Sequence, residues 1–239
     1  MITCPICRKT NHHLAPICEF CGCFLQQKID NLNLFEMMWR VVESPQRAFR
    51  TIALARHKNY MIVLSSVAGV GLAFTLFWFL NVGDVLTDLI SLVAYGVFFG
   101  LFLGPIFVLF FSIFVKLVTL FNRTKVQFKN IYSVSSYALM PVVVTVFSLL
   151  PIELLTFGVY MFSRNPSPYT LKAFSYVTIL GLDGLCALWT VILFVTGMKV
   201  LLDSGWTKAI LVSLCSLLVF SVAIAGVIMT ILSRIPIRV

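Results

Sequence analysis

Charge is scarce in this chain. Charged residues make up 11% of its 239 positions, and Asp and Glu together number 9, whereas soluble domains carry about 25% charged residues. The sequence also lacks G-x-S-x-G, H-E-x-x-H and P-loop motifs, which mark common hydrolases and nucleotide-binding proteins. These absences exclude an ordinary soluble domain. No nucleophile–base pair is found that would support an enzyme, such as an intramembrane hydrolase.

Apolar residues are abundant instead. They form 60% of the chain, and the mean hydropathy is +1.00. From residue 60 to residue 232 they occur in five runs, each long enough to cross a hydrocarbon core as a helix of about 20 residues. The sequence therefore predicts an all-α integral membrane protein with five transmembrane helices. The expected spans are residues 60–80, 89–115, 137–162, 174–198 and 209–232.

The basic residues are divided unevenly between the two sides of these spans. With a cytoplasmic N-terminus, 14 of the 18 Lys and Arg residues face the cytoplasm and 4 face the other side. Cytoplasmic loops are enriched in Lys and Arg, so we expect the N-terminus inside and the C-terminus outside. The basic excess then reflects topology and contact with anionic lipid, and no nucleic-acid partner is expected.

Two cysteine pairs open the chain. Cys4 and Cys7 form one C-x-x-C knuckle, Cys18 and Cys21 form a second, and ten residues separate them. Two facing knuckles give the tetrahedral sulfur site that zinc favours in closed structural centres. We therefore predict a zinc ribbon over residues 1–27, stabilised by structural zinc because so short a segment cannot build a core.

Other interpretations of the cysteines remain open from the sequence. Iron suits the same four sulfur ligands, and disulfides are a second alternative, although a cytosolic ribbon would be in a reducing compartment. Cys23 is a fifth thiol and is expected to be a bystander. His12 and His13 lie between the knuckles and are expected in a solvated turn, since four cysteines already complete the site.

Residues 28–58 separate the ribbon from the transmembrane domain, which is predicted over residues 59–235. In this segment apolar residues recur at helical spacing, with Ser44 as a cap and Pro45 at the first helical position of a second helix. Arg and Lys flank the apolar stripe, so one or two amphipathic helices are expected in the headgroup plane. The stretch from Val126 onward is expected to form another interfacial helix.

Glycines mark expected helix contacts. Gly96, Gly100 and Gly104 lie four residues apart in the second span, a spacing that lets two membrane helices approach closely. Gly181 and Gly184 predict a second close approach, in the fourth span. Simple packing is the favoured interpretation of both sets.

Prolines mark expected kinks. Pro105 lies in the second span, and Pro141 and Pro151 lie in the third. The carbonyls that a proline frees need partners in lipid, so these kinks should face other helices.

Two acids lie within the predicted spans. Glu153 in the third span and Asp183 in the fourth are each about ten residues from the loop that joins them, so helical rise places them at similar depth. An ionised acid at that depth must be protonated, paired or hydrated. A proton or cation site and an interhelical hydrogen bond are both open interpretations.

The sequence resembles the Ypt-interacting-protein (Yip) membrane domain over roughly residues 34–232. The matching elements are Met38-Trp39-Arg40-Val41-Val42-Glu43-Ser44-Pro45 with Ala48-Phe49-Arg50, then Ser136-Tyr137-Ala138-Leu139-Met140-Pro141 with Pro151, and Trp189 with Gly197-Met198-Lys199. The cysteine segment is similar to the zinc ribbons of prokaryotic-type members. The resemblance implies five helices with a cytosolic N-terminus. Eukaryotic relatives are linked to Rab-type GTPases, vesicle traffic and membrane shaping.

This chain departs from those eukaryotic relatives. It has no long polar N-terminal arm and no Asp-Leu-Tyr-Gly-Pro-like motif, so GTPase binding is not carried over to it. The leading hypothesis is a non-enzymatic scaffold in a bacterial plasma membrane, with the bilayer, a cytosolic or membrane protein and another copy of the chain as expected partners. The alternative is a transporter or channel for a small solute or ion that uses Glu153 and Asp183.

Overall fold

A computed structural model of the chain describes residues 2–11, 14–26, 31–121 and 126–234, with side chains described as far as residue 223. Five of its helices are long and apolar enough to cross a membrane. The predicted fold class, an all-α membrane protein with a small cysteine module, is therefore confirmed. The prediction for His12 and His13 lies outside the described residues.

Short strands precede the helices. The strands are β1 Ile2–Thr3 and β2 Thr10–Asn11, and they pair antiparallel. The helices are α1 Leu34–Glu43, α2 Pro45–Leu54, α3 Met61–Leu80, α4 Leu89–Phe121, α5 Phe128–Ala138, α6 Met140–Phe157, α7 Pro168–Leu202 and α8 Trp206–Arg234. Two 3₁₀ turns, Val82–Asp84 and Gly158–Phe162, follow α3 and α6.

The long helices form a ring. α3 packs on α4 and α6, α7 packs on α6 and α8, and α8 closes the ring against α4. We call the end where α1 and α2 lie the proximal face and the opposite end the distal face. At the distal face the two 3₁₀ turns meet, and the backbone N–H of Arg164 donates to Asp84 Oδ1 at 2.9 Å.

The contact between α3 and α4 is built from glycine. A Cβ on Gly104 would lie 2.7 Å from the Cα of Gly69, and one on Gly96 would lie 2.7 Å from the Phe74 ring. A Cβ on Gly100 would overlap the backbone of Val70. Because real Cβ atoms do not come so close, only glycine permits this backbone-to-backbone approach. We call this contact the glycine seam.

The prediction of a second close helix contact, at Gly181 and Gly184, is wrong. A Cβ on Gly181 or Gly184 would meet no atom within 4 Å. The reason is that this part of α7 borders open space, and Gly184 lines a cavity rather than a neighbouring helix. Glycine spacing alone could not distinguish a packed helix face from an open one.

α5 lies inside the bundle and not in the headgroup plane. Every residue from Ile131 to Ala138 is buried, and α5 packs against α4, α7 and α2. Two of its three serines bond within their own helix, whereas the buried hydroxyl of Ser135 has no hydrogen-bond partner among the described residues. Ser133 Oγ donates to the Lys129 carbonyl at 2.7 Å, and Ser136 Oγ donates to the Tyr132 carbonyl at 2.9 Å. The helix that was expected at the interface from Val126 onward is therefore packed among other helices of the bundle.

A helix break divides the third span. α5 ends at Ala138 and α6 begins at Met140, with Leu139 between them at ψ 5°. Pro141 lies in the first turn of α6, where a missing N–H costs least. The sequence predicted a disturbance at Pro141, and the structure places it two residues earlier. Pro105 and Pro151 lie within α4 and α6.

Ser-Pro pairs begin two helices. Ser44 and Pro45 start α2 as predicted, although the Ser44 side chain makes no capping bond. Ser167 and Pro168 start α7, and Ser167 Oγ accepts the backbone N–H of Thr170 at 3.4 Å. The backbone of α7 is non-helical at Lys172, with φ −146° and ψ 74°, so a short first turn precedes the long part of this helix. The start expected for the fourth span, residue 174, agrees with the helix that follows this kink.

Candidate functional site

The two cysteine knuckles repeat one backbone pattern. The N–H of Cys4 donates to Lys9 O at 3.0 Å, and the N–H of Cys18, 14 positions later in the chain, donates to Cys23 O at 2.8 Å. The residue after each knuckle, Arg8 or Gly22, bonds back to the first cysteine's carbonyl at 3.0 Å and has a positive φ, 55° or 72°. The module thus consists of two equivalent turns that face each other.

The four predicted sulfur ligands come together. All four Sγ atoms, those of Cys4, Cys7, Cys18 and Cys21, lie within 4.8 Å of one another. Cys4 Sγ is 3.5 Å from Cys21 Sγ, and Cys7 Sγ is 3.5 Å from Cys18 Sγ. Bonds of about 2.3 Å in a tetrahedron place sulfurs about 3.8 Å apart, so the cluster can hold a metal ion and is compatible with zinc.

Cys23 and Asn11 also border the cluster. Cys23 Sγ lies 3.0 Å from Cys4 Sγ, so the fifth thiol is much closer to the ligands than the sequence indicated. Asn11 Nδ2 lies 3.5 Å from Cys18 Sγ, and its Oδ1 accepts the N–H of Glu19 at 3.0 Å. Asn11 therefore ties β2 to the second knuckle and supplies a polar contact to a ligand sulfur. No local sequence signal identified it.

Each knuckle presents an apolar side chain outward. Ile6 and Phe20 hold the same position in the two knuckles and are 73% and 58% exposed, while Cys4 and Cys18 are buried. Lys9 Nζ lies 4.3 Å from the centre of the Phe20 ring. Phe24, 67% exposed, adds to this apolar surface. The module thus has two buried cysteines and exposed apolar side chains on its outer surface, an arrangement typical of interaction sites.

The structure also brings the two acids together. Glu153 on α6 is 7% exposed, Asp183 on α7 is half-buried, and both line the same cavity. Two adjacent carboxyl groups do not both ionise unless a cation lies with them, so the pair can share a proton or hold a cation. Helical rise predicted that the two acids lie at similar depth, and this explains why they are close to each other in the structure.

A cavity of about 460 Å³ adjoins the acid pair. α3, α6 and α7 form its walls, and polar atoms come from Thr75, Thr145 and Trp78 as well as from the acids. The indole N–H of Trp78 donates to the Tyr176 hydroxyl at 3.1 Å, which links α3 to α7. Sequence reasoning missed this bond, because 98 positions separate its partners.

The proximal core contains residues from three of the sequence elements that carried the family resemblance. Phe49 on α2, Tyr137 on α5 and Met198 on α7 are all fully buried there. Gly197 packs against both Val134 and Phe49, where a Cβ would overlap Val134 Cγ1. Elements far apart in the sequence thus meet at one helix crossing.

A family model described as the Yip1 domain matches residues 39–227 of the chain. The chain belongs to the Yip1 domain family. Its Yip1 domain includes α2 through most of α8, while the cysteine module precedes the matched residues. The sequence-based recognition is therefore confirmed, and the protein is a multi-pass membrane protein. Searches of curated proteins and of solved structures found no match to this Yip1-domain chain.

Proposed function

We propose that this Yip1-domain protein is a non-enzymatic membrane scaffold whose cysteine module, holding zinc, docks a protein partner on the cytosolic side. The observation that supports this proposal most is that the side chains of Ile6 and Phe20 are both exposed. Both side chains extend from the knuckle tips into solvent, at 73% and 58% exposure. Exposed apolar residues on so small a module favour contact with another protein.

Zinc has a structural role in this proposal. Four cysteine sulfurs fill a tetrahedral site and leave no open coordination position for a substrate. The zinc ion contributes folding free energy by holding the two knuckles together. Chelation should therefore release Ile6 and Phe20 from their fixed positions without unfolding the five long helices.

Charge supports a cytosolic proximal face. Arg47, Arg50 and Arg56 are exposed at this face, and Lys129 lies there as well. The distal end carries Asp84 and Asp88 and fewer basic residues, among them Arg164 and Lys172. By the positive-inside rule, this charge distribution supports our proposal that the ribbon lies in the cytosol and the C-terminus outside. A bacterial plasma membrane remains our proposed location.

Crosslinking in native membranes tests the docking proposal. The partner set of the wild type is compared with those of Cys18→Ser and of the double variant Ile6→Ser/Phe20→Ser. We expect both variants to lose the same crosslinked proteins, while Val85→Ser, which changes an exposed apolar residue at the distal face, keeps them. An unchanged partner set in the double variant, with zinc still bound, would contradict docking by the ribbon.

The acid pair and its cavity support a second candidate, a transporter or channel for a proton or small cation. Glu153 and Asp183 adjoin a cavity of about 460 Å³ between kinked and packed helices. Proteoliposome flux is compared for wild type, Asp183→Asn and the exposed-acid control Glu43→Gln. If the protein is a transporter, the wild type should show flux, Asp183→Asn should abolish it, and Glu43→Gln should preserve it. Absence of wild-type flux, or equal flux in all three, rejects this candidate.

A further inference from the structure

An apolar groove lies on the outer side of the bundle near the proximal face. It has a volume of about 400 Å³ between α3, α4 and α5. Its walls include Met61 and Ile62 of α3, Ile106 and Leu109 of α4, and Phe128 of α5. Ile62 and Ile106 are 57% and 49% exposed. Because these side chains belong to membrane-spanning segments, the groove opens towards lipid.

Basic residues lie at and near the proximal end of this groove. Lys129 lines it directly, and its Nζ donates to the Arg56 carbonyl at 3.5 Å. Lys58 is adjacent and buried, with its Nζ donating to the Ile52 carbonyl at 2.7 Å. Within the described ranges, no carboxylate forms an ion pair with Arg56, Lys58 or Lys129.

The positive charges at this end repel each other. Burial lowers the pKa of Lys58 to about 8, and the neighbouring charge of Lys129 contributes to the decrease. An anion next to Lys129 would offset this repulsion. An apolar groove with basic groups at its membrane-surface end matches a molecule that has an acyl chain and an anionic headgroup.

We propose that the groove is a binding site for an anionic glycerophospholipid, with an acyl chain along α3, α4 and α5 and its phosphate beside Lys129 and Arg56. Charge complementarity distinguishes this occupant from the alternatives. Free phosphate would leave the apolar walls of the groove unfilled. An apolar helix face of a second copy would leave the basic groups uncompensated. This site is independent of the ribbon and of the acid pair.

Native mass spectrometry of the purified full-length protein tests the proposal. The protein is incubated with equal amounts of dioleoyl phosphatidylglycerol and dioleoyl phosphatidylcholine, which differ only in the headgroup. We expect the anionic lipid to be retained about fivefold more, the effect of one basic residue near a membrane surface. Lys129→Gln should remove this preference. Lys172→Gln, which changes an exposed lysine on α7, should keep it.

A groove-filling variant tests the acyl-chain part of the site. Ile106→Trp should reduce retention of both lipids, whereas Leu155→Trp, at an 87% exposed position on α6, should not. Thermal unfolding midpoints of the variants in phosphatidylcholine confirm that each one is folded. Equal retention of the two lipids by the wild type overturns the proposal, as does an unchanged preference in Lys129→Gln. If Ile106→Trp abolishes a dimer of the protein but leaves lipid retention unchanged, the groove binds a second copy, and the lipid proposal is also overturned.

Discussion

At the scale of single residues, identical amino acids have different roles in this bundle. Gly100 touches the backbone of α3, whereas Gly181 has open space around its Cα. Lys58 is buried and bonds to carbonyls, whereas Lys172 is exposed. Such pairs allow one substitution to be compared at a packed and at an open position.

Gly100→Ala should destabilise the protein and Gly181→Ala should not. The new Cβ at Gly100 overlaps the backbone of Val70, and overpacking of this kind costs about 1–3 kcal/mol. At Gly181 nothing lies within 4 Å, so alanine should be neutral or stabilise the helix by up to about 1 kcal/mol. The free energy of unfolding in mixed micelles measures both. Equal effects at the two positions would show that the seam is not a close contact in solution.

Lys58 should make stability depend on pH. Its pKa is lowered from 10.5 to about 8 in the folded protein, chiefly because burial disfavours the charged form. Below pH 8 the lysine is charged in both states. Between about pH 8 and 10.5 the unfolded chain binds more protons, so stability should rise with pH across this window, by at most about 3 kcal/mol.

Unfolding free energies measured between pH 7.5 and 10.5 in zwitterionic micelles check this dependence. Lys58→Met removes the titrating group and should flatten the rise. Lys172→Met, at an exposed position, should retain it. If the slope of Lys58→Met equals that of the wild type, the buried lysine is not its source.

At the scale of elements, the crossing of α2, α5 and α7 connects three distant parts of the sequence into one packed unit. Gly197 on α7 allows the approach of Val134 on α5 and Phe49 on α2. α5 enters the bundle here, and its break before α6 lets the third span turn away towards the distal face. The proximal core therefore depends on complementary side-chain sizes at one crossing.

Gly197→Ala should be rescued by Val134→Ala. Alone, the alanine at 197 overlaps Val134 Cγ1 in a fully buried core, and the expected loss is about 1–3 kcal/mol. Removing the valine methyls makes room for the new Cβ, so the double variant should be more stable than the sum of the single effects. A double-mutant cycle of unfolding free energies measures this coupling. Strict additivity would indicate that the two side chains do not meet.

Sequence periodicity was sufficient for some elements and insufficient for others. The apolar runs and the cysteine spacing predicted five spans and a sulfur cluster, because both signals are local. The place of α5 was mispredicted, since its burial depends on contacts with α2 and α7, which are distant in the sequence. The Trp78–Tyr176 bond joins residues 98 positions apart, so only the tertiary arrangement reveals it.

At the scale of the whole molecule, the bundle has two unlike ends. The proximal end contains α1, α2 and α5 and the basic residues around Lys129, and the distal end consists of two short turns joined by the Arg164 N–H and Asp84. Charge and topology are therefore aligned along one axis. That alignment favours a single orientation in the bilayer.

We expect the N-terminus inside the cell and the C-terminus outside. An epitope tag fused before Met1 should be protected from protease in intact spheroplasts, and a tag fused after Val239 should be digested. Permeabilised cells serve as the control, because both tags should then be cut. Protection of both tags in intact spheroplasts would contradict an odd number of crossings.

The glycine seam also has a consequence for biogenesis. It uses residues of α3 and α4 alone, and a connection of eight residues, 81–88, joins the two helices. This hairpin can close before the ribosome has synthesised the later spans, and it can leave the translocon as one preassembled body. The remaining helices would then assemble against a template that the first half of the domain has already built.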